Sequence, residues 1–278
     1  MFHTFPTGKL MKQTPTVGLV MSGGGIRGLA HVGVLQVLRE HNIHISHYAG
    51  SSAGALVGVL AASDCSIEQM LEFWTESNPF HIRHLALGQS GLFNPLTYIK
   101  RLKEFVPYDS FEELPATLTV AVTAMLEGRA HYASKGELWP LVLASATYPF
   151  VFSPIQYEGE IYMDGGITDN FPSQTIRERC DVLLGINVSP SRQLAMEDMG
   201  GVRDIVERIM DLQFGVKMDQ KDELCDLMVV PQYLEAYGAF DTEGALKIYE
   251  QGLDAGREAL PAIQRLLEEF SQNPSPEA

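Results

Sequence analysis

The chain contains few cysteines and no apolar run long enough to span a membrane. Its three cysteines, Cys65, Cys180 and Cys225, are widely separated among 278 residues and form no C-x-x-C pair. This number and spacing exclude a disulfide framework and a cysteine zinc site, so we expect buried thiols in a reducing compartment. No stretch reaches the length that a transmembrane helix needs.

Positive charge is also scarce, since 20 Lys and Arg stand against 35 Asp and Glu, for a formal net charge of −15. This balance opposes binding to nucleic acid and to strongly anionic membranes, whereas neutral or zwitterionic lipids remain compatible with it. The first residues, MFHTFPTGKLMKQTP, lack the apolar core of a signal peptide. We therefore predict a cytoplasmic protein without a nucleic-acid partner.

Short apolar runs alternate with longer stretches of helical period, which is typical of an α/β fold. The pattern predicts strands over 15–21, 43–49, 117–125, 129–134, 182–188 and 224–230, with a hairpin over 155–164. It predicts helices over 28–41, 53–62, 66–77, 94–105, 138–148 and 242–270, and a helix that begins at Pro172. No repeat or linker is visible. We predict one domain over residues 15–270, an N-terminal segment 1–14 and a flexible tail 271–278.

Residues 78–93, NPFHIRHLALGQSGLF, are mostly apolar but follow neither a helical nor a strand period. A segment of this kind can cover a site as a lid. It can also pack against the core without any such role, and this is the slightly favoured interpretation.

A pentapeptide between a predicted strand and a predicted helix matches G-x-S-x-G and consists of Gly50, Ser51, Ser52, Ala53 and Gly54. In this pattern the glycines allow close backbone approach, so the central hydroxyl, that of Ser52, projects from a sharp turn as a nucleophile. The following helix directs its unpaired N–H groups to the same position. Ser51 has no glycine two positions before it and is a bystander. The alternative is a tight turn of small residues without chemistry.

A second glycine-rich turn follows the first predicted strand and consists of Gly23, Gly24, Gly25, Ile26, Arg27 and Gly28. Its match to G-x-G-x-x-G suggests a dinucleotide site, but the next strand ends in HISHYAGSS, without the acidic residue that such a site needs. Backbone N–H groups of a glycine-rich turn can instead hold an oxyanion. Parallel strands would bring both turns to one edge of the sheet. Arg27 would orient this loop, bind a phosphate or form a surface salt bridge.

A serine nucleophile needs a proton acceptor, which is usually a histidine. The chain has no histidine after His131, so the order Ser, Asp, His of ordinary α/β-hydrolases is impossible. His31 lies one turn into the helix that follows the glycine loop. It is either a general base or, as we favour, a residue that packs on the helix face or orients the loop.

An aspartate at the end of a predicted strand is the stronger candidate for the acceptor. Asp164 is followed by Gly165 and Gly166. Partial burial would raise its pKa, and contact with Ser52 would let it act without histidine. The alternative is an ordinary Asp-Gly turn. Asp169 lies nearby but is not followed by paired glycines.

The motifs GGGIRG at 23–28, GSSAG at 50–54 and DGG at 164–166 occur in this order, accompanied by LAHVGVLQVL, SATYPFVFSP and the phrase DGGITDNFP, which contains Asn170 and Pro172. In this combination the sequence resembles the patatin-like phospholipase family over about residues 15–190. The resemblance implies a three-layer α/β/α fold with a mainly parallel central sheet.

The resemblance also implies a reaction and the residues that perform it. Ser52 is expected to be the nucleophile, Asp164 its proton acceptor and Gly23 to Gly28 the oxyanion loop. Hydrolysis of a fatty acyl ester would pass through an acyl-enzyme without a metal or an organic cofactor. The expected partner is a lipid or acyl-ester substrate.

Two other functions remain open on the same fold. An acyltransferase or thioesterase would use another acceptor or a thioester, and a non-catalytic lipid-binding module would keep the fold alone. We expect a cytoplasmic location. For an enzyme that acts on lipids, the alternative to a permanently soluble protein is one that contacts a membrane surface transiently.

Overall fold

The computed structural model describes residues 14–76, 96–189, 196–215, 223–238 and 244–272. The strands are β1 Val17–Met21, β2 His47–Ser51, β3 Thr117–Ala124, β4 Arg129–Ala133, β5 Ile155–Tyr157, β6 Glu160–Asp164, β7 Val182–Ile186 and β8 Leu227–Val229. The helices are α1 Leu29–Glu40, α2 Ala53–Ala62, α3 Ile67–Glu76, α4 Leu96–Phe105, α5 Leu138–Ser145, α6 Val202–Gly215 and α7 Ala245–Gln272.

All eight strands form one mixed sheet in the order β5-β6-β3-β2-β1-β7-β8, and β4 pairs with β3. The neighbours from β3 to β8 are parallel, whereas β4, β5 and β6 run antiparallel to their partners. Parallel pairing requires crossover connections, and here helices between the strands provide them. The mainly parallel sheet that the sequence predicts is therefore confirmed.

Alternating side chains of β1 face the two sides of the sheet, as a strand period of two requires. Leu19 and Met21 join a large apolar cluster that includes residues of α1, α2 and α7. Val20 points to a smaller cluster on the other side with Phe171 and Leu183. Helices and helical turns cover both sides of the sheet, which confirms the three-layer α/β/α class.

The sequence located most elements but misplaced the second strand. It lies over His47–Ser51 rather than 43–49, because the residues before it complete the turn that ends α1. There Asn42 has φ 56° and the N–H of Ile43 donates to the carbonyl of Leu38 at 2.9 Å. The strand ends at Ser51, immediately before Ser52.

Other differences concern helix ends. Pro172 is followed by two short 3-10 turns, Ser173–Thr175 and Arg177–Arg179, rather than a longer helix, and α5 ends at Ser145. The sequence predicted no element at α6. The predicted start of the third helix at Ser66 is confirmed, because Ser66 and Gln69 form a capping box with backbone-to-side-chain hydrogen bonds of 2.8 and 3.2 Å.

Several predictions fall wholly or partly outside the described residues. The candidate lid, 78–93, lies outside them, as do 94–95 at the predicted start of the fourth helix. Of the predicted N-terminal segment only residue 14 is described, and of the predicted tail only 271–272, which belong to α7.

Candidate active site

Two parallel strands bring the two glycine-rich turns together. In the register of β1 and β2, Met21 lies opposite Gly50, so both strands end at the same edge of the sheet. A Cβ placed on Gly23 would lie 3.0 Å from the Cβ of Ser52. The glycine loop and the candidate nucleophile are therefore in direct contact.

The turn around Ser52 is as sharp as its sequence predicts. Ser52 has φ 51° and ψ −120°, a conformation that is costly for a residue with a side chain. A Cβ on Gly50 would lie 2.5 Å from the backbone of Gly54, and a Cβ on Gly54 would lie 2.2 Å from the carbonyl oxygen of Met21. Only glycine fits at these two positions, which explains the spacing of the motif.

Ser145, which the sequence did not single out, anchors this turn. Its hydroxyl accepts a hydrogen bond from the N–H of Ser52 at 2.9 Å and donates one to the carbonyl of Ala121 at 2.7 Å. The strained turn is thereby tied to the end of α5 and to β3. Ser145 begins the phrase SATYPFVFSP, but nothing in the sequence specifies its partner.

The third motif reaches Ser52 through the antiparallel side of the sheet. Asp164 is the last residue of β6 and lies opposite Val122 of β3. The hydroxyl of Ser52 donates a hydrogen bond of 2.8 Å to Oδ2 of Asp164. The N–H of Gly166 donates one of 2.8 Å to Oδ1. A Cβ on Gly165 would lie 2.2 Å from the carbonyl oxygen of Ala121, so the sharp turn after the aspartate also requires glycine.

The environment of Asp164 changes its acidity. The residue is fully buried, and burial raises the pKa of its carboxyl group to about 7, although the hydrogen bonds from Ser52 and Gly166 favour the ionised form. A carboxylate with a pKa close to neutral can accept a proton from a hydroxyl far better than an exposed aspartate.

His31 does not fit the role of proton acceptor. Its Nε2–H donates to the carbonyl of Ser22 at 2.8 Å, and burial lowers the pKa of the imidazole to about 4. The neutral ring thus holds the end of β1 where the glycine loop begins. Of the two predicted roles for His31, the structure favours the one that orients the loop.

In the glycine loop, the first amide is already occupied. The N–H of Gly23 donates to both the side-chain and the main-chain oxygen of Asn170, at 3.1 and 3.3 Å. The amides of Gly24 and Gly25 donate to no acceptor among the described residues, and Gly25 has φ 60°. Ile26 is buried, and Gly28 packs so closely on α2 that an added Cβ would lie 2.7 Å from that of Ala53.

Arg27 is inside the protein rather than on its surface. Only 1% of the residue is exposed, its Nε–H donates to the carbonyl of Gly24 at 3.1 Å, and Nη2 lies 3.4 Å from Oδ1 of Asp211 on α6. The surface salt bridge considered from the sequence is therefore wrong. The structure favours the alternative in which Arg27 orients the loop, and α6 supplies the carboxylate that holds it.

Asp169 has different surroundings from Asp164. It is also buried, but its carboxylate accepts hydrogen bonds from the hydroxyl of Tyr132 and the amide of Gln174, both at 2.7 Å. The N–H of Phe171 adds a third at 3.1 Å. These bonds fasten the loop that carries Asn170.

Three further findings concern metal binding, membrane-spanning helices and the cysteines. Within the described ranges, no group of three or more His, Cys, Asp or Glu residues is arranged to bind a metal ion. None of the helices described there combines the length and apolarity needed to cross a bilayer. The three cysteines are free thiols, of which Cys65 and Cys180 are buried.

Comparison with known sequences identifies relatives. The model of a family described as patatin-like phospholipase matches residues 19–175, more than half of the chain. An uncharacterized NTE family protein of Mycobacterium bovis is 29% identical over 181 residues, which cover 64% of this chain and 50% of that protein. The lysophospholipase nte1 of Emericella nidulans is 30% identical over 182 residues, covering 62% of this chain and 12% of that protein. The chain matches half or less of the length of these relatives.

Among solved structures, the crystal structure of VipD from Legionella pneumophila is similar to this chain. The match covers 92% of this chain and 67% of that chain, with a TM-score of 0.57 and 15% sequence identity. At this identity the similarity concerns the fold alone. It extends over nearly the whole α/β/α arrangement, beyond the residues that the family model matches.

Proposed function

The chain belongs to the patatin-like phospholipase family, and from that premise we propose that it is a serine acyl-ester hydrolase that cleaves fatty acyl esters of lipids. The observation that carries this proposal is the 2.8 Å hydrogen bond from the hydroxyl of Ser52 to the buried carboxylate of Asp164. A relative named lysophospholipase supports lysophospholipids as one substrate class.

In the first step, Ser52 Oγ attacks the carbonyl carbon of the ester while its proton passes to Oδ2 of Asp164. The carbonyl double bond opens, and the negative charge collects on the former carbonyl oxygen. The amides of Gly24 and Gly25 are the loop donors suited to hold that oxygen, since the amide of Gly23 is bonded elsewhere. One well-placed donor of this kind lowers the activation barrier by about 3 kcal/mol.

In the second step, the tetrahedral intermediate collapses and the bond to the leaving alcohol breaks. Asp164 returns its proton to that alcohol, which leaves an acyl group on Ser52. Asp164 then takes a proton from a water molecule that attacks the acyl-enzyme, and the fatty acid departs as Ser52 regains its proton. Because Asp164 carries every proton in this scheme, the scheme calls for no metal or organic cofactor.

Covalent labelling tests the nucleophile most directly. We expect a fluorophosphonate probe to modify Ser52 in the folded protein and wild-type protein to hydrolyse p-nitrophenyl acyl esters and lysophosphatidylcholine. Ser52→Ala should lose both the label and at least about 10³-fold in turnover, because no other group replaces the hydroxyl. Ser51→Ala, one position away, is the matched control and should keep the label.

The same assays distinguish the hydrolase from the other functions considered for this fold. Transfer of the acyl group to an added alcohol in preference to water would make the protein an acyltransferase, and preference for thioesters would make it a thioesterase. Folded wild-type protein without any adduct on Ser52 would contradict an enzyme and favour a lipid-binding module. The cytoplasmic location and transient contact with a membrane surface stay predictions from the sequence.

A further inference from the structure

The side chain of Asn170 lies beside the glycine loop and carries a donor that the protein does not use. Asn170 follows Asp164 in the phrase DGGITDNFP and is 6% exposed. Its Oδ1 and its main-chain oxygen both accept from the N–H of Gly23. Its Nδ2 has no hydrogen-bond partner among the described residues.

The contact with Gly23 determines which end of the amide carries the free donor. Because an N–H group of Gly23 faces the side chain, the oxygen must lie there; a flipped amide would set two donors against each other. Nδ2 therefore occupies the other end. Buried polar groups are nearly always hydrogen-bonded, and an exception calls for an explanation, of which a catalytic role is one.

The position of this amide relative to Ser52 suggests what that partner is. The point at which Gly23 would carry a Cβ lies 2.4 Å from Oδ1 of Asn170 and 3.0 Å from the Cβ of Ser52. Asn170 and Ser52 thus contact Gly23 at the same spot. The side-chain amide of Asn170 therefore lies in the neighbourhood of an ester that Ser52 would attack.

We propose that Nδ2 of Asn170 donates a hydrogen bond to the carbonyl oxygen of the ester that Ser52 attacks, which makes Asn170 a further catalytic residue. The inference rests on the function proposed above. Because the N–H of Gly23 donates to Asn170, it is not available to the oxyanion. The side-chain amide of Asn170 would take its place as a donor. The oxygen would then be held by Gly24, Gly25 and Asn170.

Two substitutions separate this role from that of a loop anchor. Asn170→Asp keeps an oxygen for Gly23 and removes the donor, but adds a charge. Asn170→Ala removes the donor without adding a charge, and the main-chain oxygen of residue 170 still accepts from Gly23. We expect kcat for p-nitrophenyl butyrate to fall by about 10²–10³-fold in both variants, as for other oxyanion donors, with KM changed less than about threefold.

Thermal melting of each variant shows whether the fold is kept, and phosphonate labelling provides a second readout of the oxyanion site. If Asn170→Asp retains kcat within about threefold while Asn170→Ala loses it, Asn170 is only an anchor and the inference is overturned. It is equally overturned if both variants retain kcat. A wild-type protein that neither turns over esters nor accepts the label contradicts the proposed function itself, a result distinguishable from either of these.

Discussion

Asp164 and Asp169 are two buried carboxylates of one loop region, and they accept hydrogen bonds from different kinds of donor. Asp169 accepts from Tyr132, Gln174 and the N–H of Phe171. Asp164 accepts from the N–H of Gly166 and from the hydroxyl of Ser52. The donors to Asp169 belong to the scaffold, whereas one of the two donors to Asp164 is the group that is proposed to react.

The comparison teaches that burial alone does not prepare a carboxylate for catalysis. At Asp164 burial raises the pKa to about 7, because the hydrogen bonds from Ser52 and Gly166 do not offset the loss of hydration. Its proton affinity is thereby brought close to neutral pH. Asp169, whose carboxylate accepts from Tyr132, Gln174 and Phe171, instead holds a loop.

The largest expected contrast is in turnover. Asp164→Asn keeps the shape of the side chain but removes the proton acceptor, so we expect kcat to fall by roughly 10³–10⁴-fold. Asp169→Asn should change kcat by less than about tenfold, because its carboxylate accepts hydrogen bonds from Tyr132, Gln174 and Phe171. Steady-state kinetics on one acyl ester measures both. Equal losses in the two variants would erase the distinction between the carboxylates.

Stability should change in opposite directions. A carboxyl whose pKa is raised on folding is neutral in both states below about pH 4, and its stabilising contribution is lost as the pH rises through about 7. Asp164→Asn avoids this loss and should raise the free energy of unfolding at pH 8 by roughly 2–4 kcal/mol. Asp169→Asn should lower it by about 2 kcal/mol, since charge-assisted hydrogen bonds are broken.

Urea unfolding at pH 8 and pH 5 checks these signs. The advantage of Asp164→Asn should shrink at pH 5, where most of the carboxyl of folded wild-type protein is protonated. An Asp164→Asn protein less stable than wild type at pH 8 would show that the buried charge is compensated after all.

The smallest expected effect is the change in rate over one pH unit. Since Asp164 must be ionised to accept the proton, kcat/KM, which reports the pKa of the free enzyme, should rise through an inflection near pH 7 and fall about tenfold for each pH unit below it. Release of fatty acid, followed by product analysis, gives kcat/KM without interference from p-nitrophenol ionisation. Asp169→Asn should keep the same inflection. An inflection near pH 4 would mean that the acting carboxylate is an ordinary exposed one.

The sequence was informative wherever local backbone geometry dictates the residue type. The turn around Ser52 was predictable because its glycines stand where any Cβ would collide with main-chain atoms. The capping box of α3 was predictable for a similar reason, since Ser66 and Gln69 are one helical turn apart. Such patterns depend on neighbours in the chain and are visible in it.

Partners distant in the sequence were not predictable from local pattern. The sequence gives no sign that Ser145 would accept from Ser52 or that Asp211 would pair with Arg27. The meeting of Ser52 and Asp164 was anticipated through the order of the three motifs, but β6 must pair with β3 before the two side chains can touch. These contacts depend on strand order and helix packing, and short sequence motifs do not specify either.

The tight packing of Gly50, Gly54 and Gly165 has an evolutionary consequence. Their backbones touch other main-chain atoms, so a descendant that lost its chemistry but retained the architecture would still need all three. It would be free to replace Asp164, whose buried charge weakens the folded protein at alkaline pH. In such lineages the glycines would indicate only that the fold is kept. The residue at position 164 would distinguish active homologues from inactive ones.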